Sequence, residues 1–345
     1  MENYNTNPRC RDAVEPRKPI TPGLMFSATL VGNILALVLL HVRRRRTSPS
    51  LYKVLVTALL MTDLLGSISV SPVVLSAYAQ NKSLLEMGTD NKVCSYFGFS
   101  MTFLSLSTLA MLCVMALERY VSIGHPYFYG RHLSKRCGYI TIAFIYLSSI
   151  LFCIIPFMGQ GKYKQYAPGT WCFLDMATKD FRLYIGFYAS FILIIITTTV
   201  VCNVYVIFLL VSMYRRGKVR RRGVSARPRC HRSLSMTEEV EHLLPLAIIT
   251  VVFICCTFPL VLQVYINLTS DGDCHKDDLR ALHLLSFHSI LNPWVFIILR
   301  PSVLKIVWRK LRRRQKSPFI WGQTQNAQSK QTGGRPCCAV PETGK

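Results

Sequence analysis

The sequence predicts an all-α membrane protein, a seven-transmembrane helix bundle with a short amphipathic surface helix after the seventh span. Three observations predict it. First, 51% of the 345 residues are hydrophobic and only 17% charged, against about 25% charged in an ordinary soluble domain. Second, charge is segregated. Residues 93–117, 139–158, 183–213, 243–270 and 281–299 contain no Asp, Glu, Lys or Arg, and 54–81 contain one acid, Asp63. Third, these runs are continuous, whereas barrel strands alternate. A helix of roughly 20 apolar residues crosses the ~30 Å hydrocarbon core with every backbone polar group bonded internally.

Taken in order, residues 1–19 form a polar N-terminal segment with no cleavable leader expected, because the first span is too long for a signal core. The bundle occupies 20–300, with spans at about 20–42, 52–79, 93–121, 138–158, 182–214, 239–268 and 278–300. In residues 301–314, "PSVLKIVWRKLRRR", Val303, Ile306, Val307 and Leu311 share a face, the pattern of a helix lying on a membrane surface. The tail, 315–345, is rich in Gln, Ser and Gly and is expected to be disordered. Its Cys337 and Cys338 are compatible equally with lipidation and with free thiols. No internal repeat is visible, which weighs against a transporter of inverted halves.

Charge sets the expected orientation. The net charge of +24 does not point to nucleic acid, because the basic residues lie between spans rather than on a domain. Arg43, Arg44, Arg45, Arg46 and Lys53 occupy the first connection, Arg131, Lys135 and Arg136 the third, and "YRRGKVRRRGVSARPRCHR" the fifth. Short basic connections stay cytoplasmic. The expectation is a multi-pass plasma-membrane protein with its N-terminus outside and its C-terminus inside, its basic face against anionic membrane lipids. The sequons at Asn81 and Asn267 fall on the side expected to be outside.

Polar groups within the spans mark candidate function, since lipid makes them costly. Asp63 is the one carboxylate deep in a span, with Asn33 and Asn292 as candidate partners across the bundle and Pro293 beside Asn292. Glu118, Arg119 and Tyr120 end the third span. Cys94 opens that span, and Cys172 lies in "QYAPGTWCF", a connection dense in shape-holding residues. Cys113, Cys153, Cys202, Cys255 and Cys256 lie in spans as small apolar packing residues. No zinc spacing, catalytic triad or paired acids are found, so neither enzyme activity, metal nor cofactor is expected.

The third-span "ALERYVSIGHPYFY", with Asn33 in "GN", Asp63 in "TDLLG", Pro259 and "NPWVF", resembles the rhodopsin-like G-protein-coupled receptors from residue 20 to about 313. Two departures stand out: "CCTFP" lacks the usual tryptophan two residues before Pro259, and Trp294 and Phe296 stand where most of the class has a later tyrosine. "SPVVLSAYAQN", "PGTWCF" and "NPWVFIILRP" narrow the resemblance to the prostanoid receptors.

The resemblance implies a Cys94–Cys172 bridge pinning the loop as a lid. It also implies a lipid ligand, prostaglandin E2 first and prostaglandin D2 or another lipid second. The implied partners are the stimulatory class of heterotrimeric G protein, which raises cyclic AMP, with receptor kinases and arrestin. Ser233 and Ser235 in "CHRSLS" are plausible phosphate acceptors. Arg119 with Glu118 would be the switch, held by Glu239 at the start of the sixth span. Tyr78, Thr170, Trp171, Met25 and Ser286 match positions around the family's ligand. Two family features are altered. Ala167 replaces a loop cysteine, leaving Cys10 without its expected partner, with Cys274 as a substitute. The arginine expected ten residues before Pro293 is His283. Three readings follow: His283 donates to a ligand carboxylate, Arg280 reaches in from one turn further out, or the ligand is neutral. A transporter or channel is the alternative of another class.

Overall fold

A computed structural model describes residues 20–44, 51–88, 90–166, 169–176, 178–223, 230–269 and 275–298. For 216–223 and 230–246 the backbone path alone is described. The expected surface helix at 301–314, the tail, the segment 1–19 and Cys274 lie outside these residues.

The spans form α1 (Ile20–Arg44), α2 (Leu51–Gln80), α3 (Lys92–Gly124), α5 (Lys135–Ile154), α6 (Arg182–Gly223), α7 (Cys230–Thr269) and α8 (His275–Ile298), with α4 (Pro126–His132) a short helix between the third and fourth. Six of them are long and apolar enough to cross a membrane by composition alone. The seventh span, α8, begins "HKDD", which dilutes its apolar character. The helices α6 and α7 run on past their apolar stretches. At 1.5 Å per residue, the 42 residues of α6 reach roughly 60 Å, about twice the hydrocarbon thickness.

α3 is the axis of the bundle. It buries 67% of its most apolar 18 residues, against 22% for α1 and for α5. Leu106, Leu109, Met111, Leu112 and Met115 sit in the core with Leu55, Leu59 and Leu60 of α2. Outward-facing side chains are also apolar: Val31 and Val38 of α1, Ile140 and Phe144 of α5, Ile194 and Phe208 of α6 are all exposed. An aqueous surface would not tolerate this belt, but hydrocarbon does. Because lipid is as apolar as the core, helices gain mainly by close approach, which small residues allow. Gly66 meets Leu104 and Gly138 meets Leu51 where a Cβ would lie 2.7 and 2.5 Å from the neighbour's side chain.

The expectation of an all-α chain needs one amendment. The connection between α5 and α6 contains an antiparallel hairpin, β1 (Tyr163–Tyr166) and β2 (Trp171–Leu174), with Tyr163 opposite Leu174 and Tyr166 opposite Trp171. Its turn closes by a bond from Gly169 N to Tyr166 O at 2.8 Å, with Gly169 at φ 98°, a conformation glycine adopts without Cβ strain. Two strands alone are marginal, so the hairpin depends on what it rests on. β1 lies on α3, and a Cβ at Gly98 would stand 2.5 Å from the Tyr163 ring.

Gly98→Ala therefore forces the hairpin off α3, and overpacking of this kind costs ~1–3 kcal/mol. Gly130→Ala, in α4 with open space around its Cβ position, is the control. The expected outcome is a clear fall in the Tm of the purified protein for the first and no change for the second, by thermal unfolding.

Candidate functional site

Beneath the hairpin, α1, α2, α3 and α8 line a partly open pocket, about 860 Å³ when the adjoining solvent space is counted. Trp171 of β2, Pro22 and Met25 of α1, Val74 of α2 and Phe97 of α3 form the hairpin end of the lining. Asp63, Thr62 and Ser105 lie deeper, with Ser286 and Ser289 along α8.

The lid is tied down three ways. Cys172 is disulfide-bonded to Cys94 at the start of α3, which closes a loop of 78 residues. The Trp171 ring packs edge-on against Phe97 at 5.7 Å and against His283 of α8 at 5.0 Å. Leu84 N donates to Gly169 O at 2.9 Å, joining the hairpin turn to the segment after α2. Inside the hairpin, the buried Tyr166 hydroxyl donates to Leu174 O at 2.8 Å and accepts from Met176 N at 3.3 Å. Burial holds that phenol far above its ordinary range, so it remains a donor.

At the deep end, Asp63 is 3% exposed. Asn292 Nδ2 donates to its Oδ2 at 3.1 Å and Thr108 Oγ1 to its Oδ1 at 3.4 Å, joining α2, α8 and α3 around one carboxyl group. Asn33, expected as a partner, does not share this site. Its amide donates to Thr29 O, one turn back in its own helix, at 2.9 Å, and its carbonyl has no partner among the described residues. Pro293 instead meets α1 through Gly32, where a Cβ would lie 3.1 Å from the proline ring.

At the opposite end of α3, the guanidinium of Arg119 lies 2.8 Å from the Glu118 carboxylate, an ion pair without hydrogen-bond alignment at that atom. Both side chains are about nine-tenths buried or more, with Arg119 also stacked 4.1 Å over the Tyr52 ring. Tyr129 of α4 completes the cluster, its hydroxyl donating to Glu118 Oε1 at 2.7 Å. Burial first, and the Glu118 charge second, push the Tyr129 phenol well up. Sequence reasoning missed Tyr129, although it closes the "IGHPYFY" stretch. Tyr120 turns away from Arg119, toward the Tyr205 ring of α6 at 5.0 Å. Glu239 lies on α7, where the side chain is outside the described set.

Of the residues expected around a ligand, Met25, Trp171 and Ser286 line the cavity. Tyr78 packs instead with the Cys94–Cys172 cluster. Thr170 is fully buried, its hydroxyl unpartnered among the described residues. His283 and Arg280 are exposed and contribute nothing to the lining. The deep hydroxyl residues Ser67, Ser105 and Ser289 were not anticipated, since isolated serines in apolar runs carry no distinctive spacing. The two sequons also differ. Asn81 is exposed in the turn ending α2, whereas the Asn267 amide lies within α7 and donates to the buried Asp278 at 2.9 Å.

The fold is similar to that of squid rhodopsin. The crystal structure of that protein superposes with a TM-score of 0.73 over 90% of this chain and 91% of its own, at 16% identity. The profile of the 7 transmembrane receptor (rhodopsin family) matches residues 32–296. The prostaglandin E2 receptor EP2 subtype of Mus musculus is 44% identical, covering 96% of this chain and 98% of that protein. The Homo sapiens EP2 subtype is 43% identical, covering 89% and 91%. The prostaglandin D2 receptor of Mus musculus follows at 39%, covering 92% and 95%. The chain therefore belongs to the rhodopsin family of seven-transmembrane receptors and, within it, to the prostaglandin receptors. These are receptors rather than enzymes.

The bridge sets the position of the lid, and removing such a cross-link costs about 2–4 kcal/mol. Reductant is expected to lower the Tm of the wild-type protein and to leave a Cys94→Ser/Cys172→Ser variant unchanged. An equal effect of reductant on both would mean that the bridge does not carry this stability.

Proposed function

We propose that the protein is a plasma-membrane receptor that binds prostaglandin E2 in the cavity under the hairpin and activates the stimulatory class of G protein, raising cyclic AMP. The observation that carries this reading is the 44% identity to an E2 receptor along almost the whole chain, with the cavity-lining Met25, Trp171 and Ser286 at positions matching the family's pocket. Prostaglandin D2 is the second reading, supported by 39% identity to a D2 receptor. Tyr78, Thr170, His283 and Arg280 surround the lid end as further candidate contacts, and Asn81 is the better-placed glycosylation acceptor. The N-terminus and hairpin face outward, and the Arg119 end faces the cytoplasm with its receptor kinases and arrestin.

The mechanism is a population shift. Agonist need only bind the active arrangement better than the resting one. α3 links the ends, carrying Cys94 and Phe97 under the lid and Glu118 and Arg119 at its other end. Movement of α7 away from α3 opens a groove for a G-protein helix, and Glu239 opposes it by pairing with Arg119.

In cells expressing the full chain, prostaglandin E2 or a derivative of it is expected to raise cyclic AMP more potently than its D2 counterpart. The reverse order would favour the second reading. Glu239→Gln is expected to raise basal cyclic AMP at equal surface expression. An unchanged baseline counts against the Glu239 latch.

A further inference from the structure

At the Arg119 end of the bundle, α4 and α5 meet with only Leu133 and Ser134 between them. Basic residues crowd this junction: Arg131 and His132 close α4, and Lys135 and Arg136 open α5. All of them are exposed. The sequence contains no Asp or Glu from Arg119 to Leu174. Among the described residues, no carboxylate lies within ion-pair distance of Arg131, Lys135 or Arg136. Both helix ends are anchored. The Tyr129 hydroxyl holds α4 to Glu118 at 2.7 Å, and Gly138 lets α5 close onto Leu51 of α2. Permanent cations are therefore gathered on a fixed surface without a countercharge.

Arg136 also heads an apolar stripe. Ile140, Phe144, Leu147 and Leu151 are all exposed, and at 3.6 residues per turn they share with Arg136 an arc of about 80°. From Arg136 to Leu151 the stripe runs roughly 22 Å, more than one leaflet of a ~30 Å core. Cations at the head of an apolar track of that length match a phospholipid, its acyl chain lying along α5. A headgroup of single charge would leave most of these cations unmatched. A headgroup bearing several phosphates matches them, and arginine binds phosphate oxygens in pairs. We propose that the α4–α5 junction is a binding site for a membrane lipid with several headgroup phosphates, a phosphorylated inositol lipid of the inner leaflet. The site rests on the cytoplasmic placement proposed for the Arg119 end, and not on which prostaglandin is bound.

The test is lipid binding to the purified full-length receptor in a neutral detergent. It is read as thermal stabilisation, since a ligand of the folded state raises Tm. Dioctanoyl phosphatidylinositol 4,5-bisphosphate is compared with dioctanoyl phosphatidylserine. For the wild-type protein the first is expected to reach half-maximal stabilisation at about tenfold lower concentration. A basic residue at a membrane surface is worth about fivefold in lipid affinity. Arg131→Gln/Lys135→Gln/Arg136→Gln is therefore expected to weaken the bisphosphate about a hundredfold and to leave stabilisation by prostaglandin E2 unchanged. Lys82→Gln/Lys92→Gln/Lys162→Gln, which removes equal charge from exposed positions at the lid end, is expected to bind as the wild type does. Should the first triple variant not fold, Arg131→Gln alone is expected to show the single fivefold loss. Equal affinity of the two lipids for the wild type, or undiminished bisphosphate binding by the Arg131 variants, overturns the inference. An epitope placed after Lys345 and stained on intact cells overturns the cytoplasmic placement, and with it the inner-leaflet source. Prostaglandin E2 that stabilises none of the proteins counts against the receptor reading and not against the lipid site.

Discussion

A carbonyl inside a bilayer has no water to bond, and the rest of this structure depends on that constraint. It makes every span a helix, and it explains how the exceptions are handled. At the end of α5, Pro156 has no N–H to return to Phe152 O. The turn tightens so that Ile155 N bonds Phe152 O, and the Tyr184 hydroxyl of α6 donates to the same oxygen at 3.1 Å. The Tyr163 hydroxyl of β1 donates to Cys153 O, also at 3.1 Å. One helix terminus is thus capped by two tyrosines, one from the next helix and one from the lid. The same bonds that satisfy the backbone place the hairpin over the bundle.

From there the architecture follows α3. Its start is joined to the lid through Cys94, Phe97 and Gly98, its middle to Asp63 through Thr108, and its end to α4 through Glu118 and Tyr129. A 33-residue helix at 1.5 Å per residue spans about 50 Å, so one element touches the cavity lid, the polar centre and the Arg119 cluster. Hydrogen bonds also join the helices around α3. Asn203 of α6 donates to Thr250 of α7 at 2.9 Å, and Ser190 and Tyr265 join the same two helices at 2.8 Å. These bonds fix the register of α6 against α7.

The number of spans, the lid cysteines and the inward-facing Asp63 were legible in the chain itself. Each rests on a local property: run length, charge segregation, or a rare residue in an apolar run. Asn33 was misjudged for a local reason too. A buried asparagine can satisfy its amide on the carbonyl four residues back, and Thr29 O was within reach. Tyr129 and Ser105 were missed because tyrosine and serine are unremarkable near or within a membrane span until a neighbour is known.

What the sequence determined by itself, then, is the bundle, since lipid allows a long apolar run only one backbone conformation and a basic connection only one favoured side. What only the tertiary structure decided is which polar groups meet. The hairpin's register, the Trp171–His283 contact and the Asn292–Asp63 bond across 229 residues are all long-range. They depend on the rotation and depth of each helix against its neighbours, and hydrophobicity, being non-directional, does not specify either one.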